Sequence, residues 1–247
     1  GFWMNLSDVY FEKLQQIMDK IRQDREPLSN AGALVSDTLS RGGMVYVFGT
    51  GHSHMFGLEL FYRAGGLVKI CPILDEGLML HESASSSSRY ERLTGYADIV
   101  LSRYDLKEDD TIIICSNSGI NAVPVEAAMW CKKAGVHTIA LTNVQQSSES
   151  KPRHVSGKRL YELCDVVLDN KGDVGDASLF IPGSERKFAP TSSICGMLIL
   201  HMLIADTVEK LVNEGHVLEV YQSSNIPGGD DINAAYIKTY RKTIRHL

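Results

Sequence analysis

The amino-acid sequence predicts an α/β protein with a parallel β-sheet that helices cover on both faces. Five short runs of apolar residues stop at glycine or polar residues, and most are followed by a segment long enough for a helix. Strands that are apolar along their whole length are typical of parallel sheets buried on both sides. Two helical segments precede the first of these runs.

The two N-terminal helices are predicted from the spacing of apolar residues. Between Ser7 and Glu26 these residues recur at the period of one helix face, at Tyr10, Leu14, Ile17, Met18 and Ile21. A second helical stretch runs from about Ser29 to Ser40. Arg41-Gly42-Gly43 ends it, because glycine is unfavourable inside a helix.

The strands are predicted in the central part of the chain. They are MVYVF (44–48), LVKICPIL (67–74), TIIIC (111–115), HTIALT (137–142) and DVVLD (165–169). Residues 174–191 then form a polar loop with two prolines and two glycines. Ser193–Glu214 follows as a long, mostly apolar helix, and Gly215 is well placed as its cap.

No shift in composition divides the chain, so we expect a single domain over residues 1–247. Its tail contains a predicted final helix between Asp230 and His246. The expected parts are N-terminal helices (1–40), a sheet core (41–215) and a C-terminal tail with its helix (216–247).

Charge and hydrophobicity argue against nucleic acid and membranes as partners. The formal net charge of −5 argues against nonspecific nucleic-acid binding, which depends on basic stripes. No apolar run approaches the roughly 18 residues that span a bilayer, and the N-terminus lacks the layout of a signal peptide, so no membrane partner is expected. The five cysteines form no CxxC pair, which indicates neither a zinc ribbon nor a redox pair and fits a reducing cytoplasm.

The first predicted strand runs into the segment Gly49-Thr50-Gly51-His52-Ser53-His54. Ligands of open α/β sheets bind at the carboxyl ends of strands, and glycine lets the backbone approach a ligand closely. A dinucleotide fingerprint would need glycine at His54, although an acidic residue does follow at Asp75. A nicotinamide site therefore stays an alternative, and no cofactor is expected.

The third strand runs into Ser116-Asn117-Ser118-Gly119, and a helix is predicted from about Asn121 or Pro124. Two hydroxyls and a glycine beside a helix N-terminus suit a phosphate, because the unpaired N–H groups there attract anions. The alternative is that the serines only cap the helix. The presence of two such loops on separate strands favours the anion site.

The segments GTGHS, KEDDTIIICSNSG and HTIALTN resemble the sugar isomerase (SIS) domain family over roughly residues 30–215. The resemblance implies a flavodoxin-like, three-layer fold with about five parallel strands. It also implies a sugar phosphate held by hydroxyls and backbone N–H groups, and homodimers or homotetramers with active sites at subunit interfaces.

Carried over by residue, Ser53 matches the end of the first loop, and Ser116 and Ser118 match the serine pair of the second. Asn121 stands where many members have threonine, and its amide can still donate to a phosphate. The tail SSNIPGGDDIN resembles that of a stand-alone SIS branch, although its glycines also suit a simple turn. The expected phosphosugar-binding residues are Gly51, Ser53, Ser116, Asn117, Ser118, Asn121, Thr191, Ser192, Ser193 and Asn225.

Aldose–ketose isomerisation needs a base that moves a proton between neighbouring carbons. The favoured group follows the second strand: Glu82 with His81, supported by His52 in the first loop. The alternative is that these are solvated loop charges. Glu59 matches the glutamate of heptose isomerases poorly, and His201 reads better as a core histidine.

Three functions remain open from the sequence. The leading one is an enzyme that isomerises a sugar phosphate, or acts on one beside its carbonyl. The second is a sugar-phosphate sensor without turnover. The third is a metal-dependent hydrolase, for which His52 and His54 are the only candidate ligands. Two histidines in a turn are weak evidence for zinc, so no metal is expected.

Overall fold

The computed structural model describes residues 5–247, so the first four residues of the predicted N-terminal part lie outside it. The strands of the main sheet are β1 (Val45–Gly49), β2 (Ile70–Ile73), β3 (Thr111–Cys115), β4 (His137–Thr142) and β5 (Val166–Asp169). All pair in parallel, in the order β2-β1-β3-β4-β5. This is the flavodoxin-like order, and the predicted fold class is confirmed.

Helices lie on both faces of the sheet. They are α1 (Leu6–Gln23), α2 (Arg25–Ser40), α3 (Met55–Leu60), α4 (Ala84–Tyr90), α5 (Tyr96–Leu101), α6 (Ala122–Lys133), α7 (Val144–Glu149), α8 (Leu160–Leu163), α9 (Ser192–Asn213) and α10 (Gly229–Tyr240). Helices α1, α2, α3 and α9 contribute to one core, and α5, α6 and α8 contribute to the other.

Side chains of β1, an interior strand of the sheet, alternate between the two cores. Val45 and Val47 of β1 belong to the core under α2 and α9, whereas Tyr46 and Phe48 belong to the core under α5 and α6. Because successive side chains point to opposite faces, a strand covered on both sides must be apolar throughout. This is the physical reason for the continuous apolar runs in the sequence.

Several local boundaries differ from the sequence-based predictions. The first helix ends at Gln23 instead of Glu26, because the chain turns at Asp24 before α2. The polar loop 174–191 contains a short hairpin of β6 (Leu179–Phe180) and β7 (Lys187–Phe188). Residues 84–90, for which no helix is predicted from the sequence, form α4, and its first turn is capped by the Ser83 hydroxyl. The final helix ends at Tyr240 instead of His246.

The C-terminal tail packs beside the edge strand β2. Backbone hydrogen bonds join Gly65 and Val68 to Tyr221 and Glu219. These contacts lie before Ile70, the first residue of β2, so residues 219–221 of the tail lie at the amino end of the strands. No helix of residues 5–247 is both long and apolar enough to cross a membrane.

Candidate functional site

The two loops singled out in the sequence leave the sheet side by side. Gly49, the last residue of β1, is in register with Cys115, the last residue of β3. The GTGHS loop (49–53) and the SNSG loop (116–119) therefore begin at neighbouring points on the carboxyl edge. In this strand order the connection after β1 leads to β2 on one side, and the connection after β3 leads to β4 on the other side. These opposite directions open a crevice between β1 and β3.

The SNSG loop has the backbone geometry of an anion site. The Gly119 N–H donates to Ser116 Oγ at 3.0 Å, so the first serine hydroxyl closes the loop internally. Within residues 5–247, the N–H groups of Ser118, Ile120 and Asn121 have no hydrogen-bond acceptor. Ile120 and Asn121 are buried, at 7% and 5% exposure, and buried N–H groups in proteins are almost always paired. These donors are therefore available to a bound anion or to water.

Gly119 is required by both conformation and space. Its φ of +61° lies in the left-handed region that side chains disfavour. A Cβ atom there would lie 3.1 Å from Thr142 Oγ1 and 3.2 Å from Ser147 Oγ. The glycine thus lets the loop pack directly against the ends of β4 and α7.

The Asn117 side chain anchors the SNSG loop to the neighbouring strand ends by hydrogen bonds. Its Oδ1 accepts from Asn170 Nδ2 at 2.7 Å, and its Nδ2 donates to Gln146 Oε1 at 3.1 Å. Asn143 Nδ2 donates in turn to Asn170 Oδ1 at 2.8 Å. The amide predicted to contact a phosphosugar is therefore engaged in a network that joins the ends of β3, β4 and β5.

The GTGHS loop turns sharply into a short 3₁₀ helix over Gly51–His54. A Cβ atom on Gly49 would lie 2.2 Å from the Ser53 carbonyl oxygen, so only glycine allows this turn. His54 Nδ1 pairs with the Gly51 carbonyl at 2.6 Å, whereas His52 is exposed and Ser53 is half-buried. His54 is thus held by its own loop.

Glu91 is a functional candidate that the sequence analysis missed. Thr50 Oγ1 donates to its Oε2 at 2.8 Å, and the Val123 N–H donates to its backbone carbonyl at 3.0 Å. These two contacts place Glu91 between the GTGHS loop and the start of α6. No local pattern marks it, because both partners are distant in sequence.

Arg153 is a second residue that the sequence analysis missed. Its Nη1 donates to Asn121 Oδ1 at 2.9 Å, and its backbone N–H donates to the Ile120 carbonyl at 3.1 Å. A guanidinium therefore lies next to the residues that follow the SNSG loop. A run of basic residues over 151–159 was the available signal.

The third hydroxyl cluster, at the start of α9, is capped from within the chain. Asp176 Oδ1 accepts from the N–H groups of Thr191 and Ser192, at 3.1 and 2.9 Å, and Ser192 Oγ donates to Oδ2 at 2.5 Å. A carboxylate is favourable at a helix N-terminus. Thr191 is buried beside Gly172 and Ser193 is half-buried, so this cluster borders the amide network.

The favoured catalytic pair is exposed at the protein surface. His81 and Glu82 have side chains 62% and 60% exposed, with 3.8 Å between His81 Nε2 and Glu82 Oε1. His81 lines a cavity of about 530 Å³ at the carboxyl end of β2, together with Arg103, Arg245 and His246. None of the loop residues described above lines that cavity.

Two residues given little weight in the sequence analysis meet in the structure. His201 Nε2 lies 2.7 Å from Glu59 Oε2, and Arg63 Nη1 donates to the same oxygen at 2.6 Å. His201 is therefore half-exposed and paired with a carboxylate instead of being a core residue. The adjoining cavity of about 140 Å³ is lined by Ile70, at the amino end of β2, so the pair lies below the carboxyl edge.

Asn225 is not brought to the loops of its own chain. It is exposed in the tail, and its N–H donates to Ser223 Oγ at 3.2 Å. The nearby tail residues 219–221 contact the chain at the amino end of β2, the opposite end from the SNSG loop. Within residues 5–247, no three His, Cys, Asp or Glu side chains are grouped to hold a metal ion.

Comparison with known proteins agrees with this geometry. The model of the SIS domain matches residues 9–143, which include the GTGHS and SNSG loops. The chain belongs to the SIS domain family. Among full-length relatives of this SIS domain, the UPF0309 protein BH0227 of Halalkalibacterium halodurans is 41% identical over 236 residues, which are 95% of this chain and 94% of the relative. The UPF0309 protein lin2794 of Listeria innocua is 39% identical, with 97% and 96% covered.

Solved structures share the fold of this SIS domain. A phosphoheptose isomerase from Francisella tularensis superposes with a TM-score of 0.53 and 17% identity, covering 84% of this chain and all of that one. The phosphoheptose isomerase of Neisseria gonorrhoeae gives a TM-score of 0.52 and 16% identity, with 82% and 97% covered. Vibrio vulnificus NanR, solved with ManNAc-6P, gives 0.51 and 16%, with 98% and 70% covered.

Proposed function

We propose that this SIS protein binds a sugar phosphate in the crevice between β1 and β3 and moves a proton beside the sugar's carbonyl, as an aldose–ketose isomerase does. The observation that carries the proposal is the set of unpaired N–H donors at Ser118, Ile120 and Asn121. The neighbouring GTGHS loop holds a carboxylate, that of Glu91. Preorganised donors bind a phosphate without local rearrangement. The Ser118 hydroxyl, half-buried in the same loop, adds a further donor.

Glu91 is our candidate for the base. Its Oε2 is held by the Thr50 hydroxyl at 2.8 Å, which fixes the carboxylate beside the GTGHS loop. A sugar whose phosphate lies on the SNSG loop would extend along this crevice. Glu91 would remove the proton from the carbon next to the carbonyl and return it to the neighbouring carbon, with the electron pair held as an enediolate.

Glu91 is better supported than Glu82 with His81, because the latter pair is exposed and the cavity that His81 lines contains no residue of the GTGHS or SNSG loop. We keep His52 as a residue that contacts the sugar, since it projects from the GTGHS loop. A homodimer or homotetramer in the cytoplasm is part of the proposal, and in it Asn225 would reach the site of a second copy.

A sugar-phosphate sensor is the second candidate function. It is favoured because His52, His81 and Glu82 are exposed. The Glu91 carboxylate is held by Thr50, and among residues 5–247 no histidine makes a hydrogen bond with it. Both roles are consistent with the neighbours, because the fold is shared by phosphoheptose isomerases and by NanR solved with ManNAc-6P.

The first experiment is a thermal-shift screen against aldose and ketose phosphates, with the unphosphorylated sugars and NAD as controls. A ligand that binds the native state raises its stability by mass action. We expect stabilisation by at least one sugar phosphate. Stabilisation by NAD and by no sugar phosphate would contradict the proposal.

The second experiment separates enzyme from sensor. Each stabilising sugar phosphate is incubated in D₂O, and NMR follows the loss of the proton next to the carbonyl. We expect exchange in the wild type and a loss of about a hundredfold or more in Glu91→Gln, the range for general-base removal. Glu82→Gln is the comparison and Glu185→Gln, exposed in the hairpin, is the charge-matched control. Binding without exchange in any sample would identify a sensor.

A further inference from the structure

The connection between α7 and α8 carries an unusual charge for this protein. Residues 151–159, the basic loop, read KPRHVSGKR and contain four lysines or arginines and no acidic residue, in a chain of net charge −5. Such a local excess of positive charge in an acidic protein favours the binding of an anion.

Two backbone hydrogen bonds join the basic loop and the residue that follows it to residues 119–120, at the end of the SNSG loop. The Arg153 N–H donates to the Ile120 carbonyl at 3.1 Å, and the Leu160 N–H donates to the Gly119 carbonyl at 2.9 Å. His154 Nε2 also lies 3.2 Å from Glu126 Oε2 on α6, where both side chains are largely buried. The loop is therefore part of the same wall as the unpaired N–H donors.

The four cationic side chains of the basic loop differ in their contacts. Arg159 donates to the carbonyls of Ser147 and Ser150, at 2.7 and 2.8 Å, and thereby holds the end of α7. Lys151 and Lys158 are exposed. Arg153 is the cation that reaches the SNSG side, through Nη1 and Asn121 Oδ1 at 2.9 Å.

The contact between Arg153 and Asn121 also orients the amide. Since Oδ1 accepts from the guanidinium, the Nδ2 hydrogens form the free end of a side chain that is 5% exposed. Within the described part of the chain these hydrogens have no acceptor, and they adjoin the unpaired N–H groups of Ile120 and Asn121. The Nδ2 atom is not among the fully buried side-chain atoms that lack a partner, so it stays accessible and can donate to a ligand or to an ordered water.

We propose that Arg153 contacts the phosphate of the ligand directly and that it selects a doubly charged phosphate monoester over a singly charged or neutral ligand. Asn121 positions the guanidinium and adds a donor of its own. The guanidinium has five N–H groups in a planar fork, so one of them can hold Asn121 while others take phosphate oxygens. This inference rests on the proposed function, because it describes the same site.

The test compares wild type, Arg153→Gln, Arg153→Lys and Lys133→Gln. Lys133 is exposed at the other end of α6, about 18 Å along the helix from Asn121, so it loses the same charge beyond the reach of screened electrostatics. Isothermal titration uses inorganic phosphate and glucose 6-phosphate, with glucose as the neutral control. Melting without ligand checks that each variant is folded.

We expect Arg153→Gln to weaken binding of both anions about ten- to a hundredfold, the range for losing a charged hydrogen bond. Arg153→Lys should recover part of the lost affinity, and Lys133→Gln should bind both anions as tightly as the wild type. Phosphate monoesters lose their second proton near pH 6, so wild-type affinity should fall from about pH 8 to about pH 5, and less so in Arg153→Gln. A purely structural role would not change this pH profile.

Equal binding by wild type and Arg153→Gln would overturn the inference and leave the proposed function standing. Arg153-dependent binding of inorganic phosphate, with no sugar phosphate in the thermal-shift screen, would support the inference and overturn the proposed function. An absence of binding by either anion to the wild type would overturn the anion site, and the inference with it.

Discussion

The side chain of Asn170, at the end of β5, donates to Asn117 Oδ1 of the SNSG loop at 2.7 Å. Asn170 is 3% exposed, and its own Oδ1 accepts from Asn143 Nδ2 at 2.8 Å. One buried amide therefore connects three strand ends and sets the position of the loop that carries the unpaired N–H groups.

Replacement of Asn170 by alanine should destabilise the fold and loosen the loop together. The change leaves the amides of Asn117 and Asn143 partly unpaired, and an unpaired buried polar group costs about 1–3 kcal/mol. Urea unfolding measures the free energy, and titration with inorganic phosphate measures binding. Asn213→Ala, exposed at the end of α9, is the control and should be nearly neutral. Unchanged stability in Asn170→Ala would show that the network is dispensable.

Replacement of Gly119 by alanine should cost more than the same change at a glycine with open space around it. Gly183, in the hairpin, has φ +75°, and no atom lies within 4 Å of the position that a Cβ would take, so Gly183→Ala should cost only the left-handed strain of about 1–2 kcal/mol. Gly119→Ala adds contacts of 3.1 and 3.2 Å with Thr142 and Ser147. Thermal unfolding of both variants checks this order, and equal losses would contradict it.

The buried thiols predict a loss of stability at alkaline pH. Burial raises the pKa of Cys71 and of Cys195 to about 11, whereas the unfolded thiol has a pKa of about 8.5. Between these values the unfolded chain has lost its thiol protons and the native state keeps them. Stability is therefore unaffected below about pH 8 and falls as pH rises towards 11.

The measurement is the free energy of unfolding in urea at several pH values, for wild type and Cys71→Ala. The variant should lose less stability between about pH 8.5 and 11, because one of the contributing thiols is gone. The range from about pH 6 to 8 is the internal control, where the two pH profiles should run parallel. Identical alkaline slopes would rule out a contribution from Cys71.

Local pattern was sufficient for the fold and for locating the two loops of the proposed anion site. Apolar runs such as Thr111–Cys115 can be recognised without knowing their neighbours, because burial on both faces demands apolar residues at every position. Gly119 could likewise be read locally, since few other residues adopt its backbone conformation. Helix ends were predicted less well, because Asp24 ends α1 by a turn that no glycine or proline marks.

Contacts between distant segments were decided only by the tertiary structure. Glu91 meets Thr50 across 41 positions, and Arg153 meets Asn121 across 32, so neither pairing leaves a local trace. Asp176 reaches the start of α9 in the same way and occupies Ser192, which had been expected to meet the ligand. The sequence by itself thus determined the sheet and the two loops, through burial and backbone conformation. Only the packed chain decided which charged side chains stand beside those loops, because long side chains are brought together by packing and not by spacing.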